Sequence, residues 1–190
     1  MKQVEEENLA GCCGIYCGLC PWFQSTAPSR CPGCRIRSQS VSCKRYNCCV
    51  KKNGLGTCAE CRTFPCEKYE EFLDWDSFVS HGACLPNLEA IKKRGLKPWL
   101  KEQSARRKLL EQLLANYNEG RSARFYCVAT TLLSPDVIEG TLKGTRQRMS
   151  MARTPDQDIK TRAKIVRTAI QERATAAGID LRLRHAAKGI

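Results

Sequence analysis

Twelve of the chain's fourteen cysteines fall between Cys12 and Cys66, in a stretch with few large hydrophobic residues, chiefly Ile15, Tyr16, Leu19, Trp22, Phe23, Ile36, Leu55 and Phe64. Too little apolar surface is available there to build a core, so the segment needs cross-links. These are disulfides or metal–thiolate bonds. The N-terminus, Met1-Lys2-Gln3-Val4-Glu5-Glu6-Glu7, is polar and acidic and carries no apolar signal-peptide core. Leu9-Ala10-Gly11-Cys12 mimics a lipoprotein cleavage box, but no apolar region precedes it. With no membrane-length apolar run either, the sequence reads as cytoplasmic, where thiols stay reduced and clustered cysteines act as metal ligands.

The spacing supports metal. Cys17-x2-Cys20, Cys31-x2-Cys34 and Cys58-x2-Cys61 each place two sulfurs on one tight turn, half of a tetrahedral site. Gly18, Pro32 and Gly33 suit such turns, whose amides donate to thiolates. Neighbouring cysteines of an extended chain point to opposite sides, so Cys12/Cys13 and Cys48/Cys49 are each expected to supply one ligand. The candidate metal ligands are therefore Cys13, Cys17, Cys20, Cys31, Cys34, Cys43, Cys48, Cys58, Cys61 and Cys66. Ten sulfurs make two four-cysteine Zn²⁺ sites comfortably, and a third with an outside ligand. Spacing leaves their pairing open, and short loops favour joining Cys31 and Cys34 with Cys43 and Cys48. An iron–sulfur cluster is the alternative cofactor, because four thiolates serve both. Cys13-x3-Cys17-x2-Cys20 also matches the spacing of radical enzymes that use S-adenosylmethionine, but the long (β/α) barrel those enzymes need does not follow.

The net charge of +13 is unevenly spread. Residues 1–66 carry 9 basic against 4 acidic side chains, residues 67–140 carry 11 against 11, and residues 141–190 carry 12 against 4. Each four-thiolate Zn²⁺ site carries a charge of about −2, so the basic residues among the cysteines serve to balance thiolates. The C-terminal excess has no such offset. Lys160, Lys164, Arg162, Arg167 and Arg173, preceded by Arg146, Arg148 and Arg153, are candidates for contact with nucleic acid or an acidic protein. The solvated face of an ordinary amphipathic helix is the favoured explanation of them.

The resulting architecture is mainly α, with an irregular, Cys-rich, zinc-stapled N-terminal module of short hairpins and loops. Residues 1–11 read as a flexible arm and 12–68 as the metal-binding module. Residues 69–140 read as a helical domain packed on it. Within them, helices are expected from Tyr69 to about His81, from Pro86 to Gly95, from Pro98 to Gly120 and over 122–133. The Gly-, Ser- and Arg-rich stretch 141–153 reads as a linker. In 154–190, Thr154-Pro155-Asp156 signals a helix start, a basic amphipathic helix runs to Gly178, and Ile179–Arg184 alternates as a short strand.

Taken in order, Cys13-Gly14-Ile15-Tyr16-Cys17-Gly18-Leu19-Cys20-Pro21, Cys31-Pro32-Gly33-Cys34, Cys43-x4-Cys48-Cys49 and Cys58-Ala59-Glu60-Cys61-Arg62-Thr63-Phe64-Pro65-Cys66 resemble the family named domain of unknown function 3795. Arg121-Ser122-Ala123-Arg124-Phe125-Tyr126-Cys127 and the final helix are similar to later parts of that family. Some members carry a further cysteine near Ser40, which this chain lacks. The resemblance implies a small prokaryotic, cysteine-rich, metal-binding protein and no particular reaction.

Outside the cysteine run, Arg121, Arg124, Tyr126 and Cys127 form a candidate functional segment, with Cys127 either a reactive thiol beside two arginines or a buried core residue. His81-x2-Cys84 offers a further ligand or catalytic pair. No phosphate loop, Ser-His-Asp set or paired carboxylate stands out. The leading functional reading is a zinc-binding adaptor without catalysis. The alternatives are an iron–sulfur redox protein or enzyme and a zinc-dependent nucleic-acid binder.

Overall fold

The computed structural model describes residues 5–39, 42–151 and 158–185. It is mainly helical with an irregular cysteine-rich N-terminal region, as the sequence implies. The helices are α1 (Glu6–Leu9), α2 (Cys34–Arg37), α3 (Lys44–Tyr46, continued by a π-helical turn Asn47–Lys52), α4 (Glu70–Asp74), α5 (Cys84–Arg94), α6 (Leu96–Tyr117), α7 (Ala123–Leu132), α8 (Pro135–Met151) and α9 (Ile159–Ala176). Among the described residues the one β-type pairing is an isolated bridge between Ala10 and Tyr16. None of their helices is long and apolar enough to cross a membrane. The chain forms two compact units, Met1–Ser104 with Leu183–Ile190, and Ala105–Arg182.

In the first unit, residues 5–11 are not a loose arm. Leu9 and Ala10 are fully buried, and the Tyr16 hydroxyl donates to Glu6 at 2.7 Å. The core is small and polar at its edges. Trp99 stands edge-on to Tyr16 and donates its indole N–H to Asn87, which donates to the Gly14 carbonyl at 2.8 Å. Gly14 has φ +90° and sits against the Cys84 carbonyl, so a side chain fails there on both conformation and space. Along α5, Cys84, Leu88 and Ile91 form the buried stripe; Lys92, Lys93 and Arg94 offset the C-terminal dipole, and Gly95 at φ +88° ends the helix.

The expected helix from Tyr69 to His81 is cut short. A 3-10 turn (Glu67–Tyr69) leads into α4, which ends at Asp74. The reason is Asp76, whose side chain is 1% exposed. Its carboxylate accepts from the backbone N–H of His81 (2.6 Å) and of Arg184 (2.8 Å) and from the Arg184 guanidinium (2.9 and 3.1 Å). That clamp also disposes of the expected C-terminal strand. Ile179–Arg184 lacks a ladder, because its backbone pairs with Asp76 and Arg182 folds back on Asp180. Burial opposes ionisation of Asp76, but Arg184 and the His81 amide outweigh it and hold its pKa below 3.8. The clamp therefore contributes fully above that value and is lost as pH falls through the lower folded value. Asp76→Ala is expected to cost about 3 kcal/mol in urea unfolding at pH 7, near the low end for breaking a buried pair because Arg184 is half exposed. The difference from wild type should shrink in strong acid.

The second unit is built from helices with regular stripes: Leu110, Leu113 and Tyr117 on α6, Tyr126, Cys127 and Thr130 on α7, and Ala163, Val166, Ile170 and Ala174 on α9, all buried. Arg106 caps the end of α7 by donating to the Thr130 and Leu133 carbonyls. Residues 141–151, expected within a linker, instead belong to α8. Its buried stripe is Ile138, Thr141, Leu142, Thr145 and Met149. Thr141 and Thr145 bury their hydroxyls by bonding the carbonyls of Val137 and Thr141, four residues back, at 2.6 and 2.7 Å. Thr154-Pro155-Asp156 lies outside the described residues. The cap that begins α9 is Asp158, which accepts from the amides of Lys160 and Thr161.

Candidate metal centre

Three cysteines far apart in sequence meet in the first unit. The sulfurs of Cys12, Cys49 and Cys58 all lie within 4.8 Å of one another, and among the described residues no other His, Cys, Asp or Glu group is this tight. Cys12 and Cys49 are buried with Tyr46, and Cys43, Val50, Leu55 and Cys58 pack around them. The backbone holds the trio. The Cys58 N–H donates to the Cys12 carbonyl at 2.9 Å and the Leu55 N–H to the Cys49 carbonyl at 3.0 Å. A capping box of Thr57 and Glu60 starts the 3-10 turn at Cys58. Arg35 ties the strands of chain together, donating to the carbonyls of Ala10 and Gly56.

The trio concentrates negative charge on one sulfur. The Cys12 and Cys49 thiols turn toward Cys58 and, with Tyr69 and Arg45, outweigh burial and bring its pKa from 9.0 down to about 3. Cys12 is pushed far up by its contacts with Cys49 and Cys58 and by burial. Cys49 is favoured as a thiolate by Cys12, but Cys58 and burial outweigh that and push it up to about 12. A cation replacing the shared protons would relieve this crowding. Tetrahedral Zn²⁺ with bonds of about 2.3 Å needs sulfurs about 3.8 Å apart, close to what the backbone already provides.

Two further observations fit a metal. The Tyr69 hydroxyl is buried without a hydrogen-bond partner at bonding distance, yet it lies close enough to Cys58 to depress its pKa, as a donor to a metal-bound thiolate would. Beside the trio, a cavity of about 30 Å³ is lined by Cys48, Cys49, Cys58, Cys61 and Cys66, with Tyr69 and Lys68. Its extra cysteines supply candidates for a fourth ligand. Lys68 has its pKa raised first by Glu67 and also by Cys48 and Cys66, which places a cation beside these sulfurs.

The remaining candidates form looser groups. Cys17 accepts the Cys34 N–H at 3.0 Å, and the Cys17 thiol, helped by Arg37 and opposed by burial, brings Cys34 down to about 7. Cys20 is pushed up by burial but receives the amides of Phe23 and Trp22, and it senses the charge of Cys34 and Cys31. Cys34 thus lies against Cys17, and it also lines a cavity with Cys12, Cys13 and Cys43. Cys13 pairs with Cys84, whose thiol lowers its pKa against burial with help from the Ile15 amide and Arg45. Cys61 is half-buried, beside the Thr63 hydroxyl at 3.3 Å. All fourteen cysteines are free thiols.

Sequence reasoning passed over Cys12 and Cys49 and took their neighbours. The premise of divergent neighbours holds for Cys12 and Cys13. At Cys48 and Cys49, however, the chain is a helical turn, and Tyr46, Cys49 and Val50 recur at helical spacing. That pattern was the available sign that Cys49 faces inward.

Among the other candidates, His81, Tyr126 and Cys127 are engaged or buried within the fold. His81 has Nδ1 at 2.8 Å from the Phe72 carbonyl and Nε2 at 2.9 Å from Ser77, so both ring nitrogens are engaged. Tyr126 is fully buried, with its hydroxyl on the Tyr117 carbonyl, and Cys127 is 2% exposed in the core. Arg121 and Arg124 are exposed. No family model, curated protein or solved structure matches this chain. The cysteine arrangement thus defines a chain able to hold a metal ion.

Proposed function

We propose that the chain is a zinc protein whose thiolate sites staple the N-terminal region and whose role is that of a non-catalytic binding or adaptor module. The observation that carries this reading is the Cys12–Cys49–Cys58 trio, with sulfurs within 4.8 Å, beside a cavity of about 30 Å³. An iron–sulfur cluster, which takes the same thiolates, is the second reading. Amides of Ile15, Trp22, Phe23 and Thr63 directed at Cys13, Cys20 and Cys61 support thiolates at further positions. A fourth sulfur from the cysteines beside the trio would close the site to substrate, and the engaged His81 and buried Cys127 favour a role without catalysis. Fourteen free thiols suit a reducing, cytoplasmic setting. The four ordered cysteine motifs favour placing the chain with the domain of unknown function 3795 family. Metal analysis of anaerobically purified protein tests the reading, and zinc rather than iron is expected.

A further inference from the structure

The second unit holds a groove of about 1090 Å³ between the N-terminal side of α7 and the exposed face of α9. It unites the two sequence features that the metal does not explain, the Arg121–Cys127 segment and the basic C-terminal helix. Lys160, Lys164 and Arg167 line it from one face of α9, at the spacing of successive helical turns. Arg121 and Phe125 line it from the other side. Lys164 has no ion-pair partner among the described residues. The Arg167 guanidinium lies 5.1 Å from the Phe125 ring centroid, giving a flat, cationic platform.

One acidic group is built into this basic wall. The Glu119 side chain is 14% exposed; its Oε1 accepts from Ser122 at 2.9 Å and faces Arg167 at 4.0 Å. Its Oε2 is buried and has no hydrogen-bond partner. A buried acceptor without a donor in the protein is satisfied by a water or by a ligand's N–H or O–H. The groove therefore asks for three things in one ligand: negative charge, a planar group and a hydrogen-bond donor. Lys160 lies seven residues from Arg167 along α9, about 10 Å, the scale that separates a base from its phosphates.

We infer that this groove binds a nucleotide, with phosphate on Lys160 and Lys164, the base against Arg167 and Phe125, and a base or ribose donor on Glu119. The ligand is either a free nucleotide or a nucleotide within a single strand, where base stacking and phosphate contact combine in the same way. An acidic peptide fits less well. It offers no planar ring to the platform and brings its carboxylates against Glu119 and Glu172. The inference is independent of the metal.

Calorimetric titration of the full chain with ADP, a short single-stranded oligoadenylate, inorganic phosphate and a poly-glutamate peptide tests it. ADP or the oligonucleotide should bind in a salt-sensitive way, and more tightly than phosphate; whichever of the two is tighter identifies the source. Lys160→Glu with Lys164→Glu, both exposed, should weaken that binding at least about tenfold while leaving helicity and metal content unchanged. Glu119→Gln and Phe125→Leu should each reduce the preference for nucleotide over phosphate. Failure of both nucleotides to bind, indifference to the charge reversal, or equal affinity for poly-glutamate overturns the inference.

Discussion

Stripping the metal is expected to unfold the cysteine-rich part of the first unit while the helices within Ala105–Arg182 stay folded. Among the described residues between Cys12 and Cys66, the large buried apolar side chains other than cysteine are few: Tyr16, Leu19, Phe23 and Tyr46. Against this stands a thiolate–zinc binding energy of roughly 10–16 kcal/mol per site, as large as the whole stability of an ordinary domain at about 5–15 kcal/mol. Helices α7 to α9 and the end of α6 carry their own stripes, with Leu110, Leu113, Tyr126, Ile138, Val166 and Ile170 nearly or fully inaccessible. Hydrogen exchange read peptide by peptide, before and after a strong zinc chelator, measures the difference. Protection should vanish around Cys12–Cys66 and persist in α7 and α9. Unchanged protection in the cysteine segment would show that packing alone holds it.

The single substitution with the largest expected effect is Cys58→Ser. Cys58 is where the trio's charge collects, with Cys12, Cys49 and the Tyr69 hydroxyl all directed at it. Serine is a poor zinc ligand at neutral pH, so one equivalent of metal should be lost, together with that site's stabilisation, on the order of 10 kcal/mol. Little folded cysteine module should survive. Cys127→Ser is the matched control. It too changes a buried cysteine, but one set in helix α7 of the second unit. It should cost about 1–3 kcal/mol for an added buried hydroxyl and leave the metal content alone. Equal metal content in wild type and Cys58→Ser would remove the trio from the site.

Much of the helical scaffold was legible because period and punctuation agree. Gly95 ends α5 where its stripe stops, and α7 falls inside the predicted 122–133. What was missed has physical causes. The part of α8 from residue 141 reads as linker because Gly144 and Ser150 interrupt it, yet nothing crowds the glycine and buried threonines supply the inner face. The length of α4 depends on Asp76, whose partner Arg184 lies 108 residues away, beyond any local pattern. The cysteines announced a metal, but local spacing carries no information about which sulfurs meet. Cys12, Cys49 and Cys58 converge through a helical turn and a long-range backbone hydrogen bond, from Cys58 to Cys12, that only the fold reveals.

Metal analysis with visible absorption, on protein purified without oxygen, tests the central claim most directly. At least one zinc per chain, with two expected and no visible charge-transfer band, is the result the thiolate sites call for. Iron with inorganic sulfide and a coloured protein would contradict it, as would a folded protein that binds no metal.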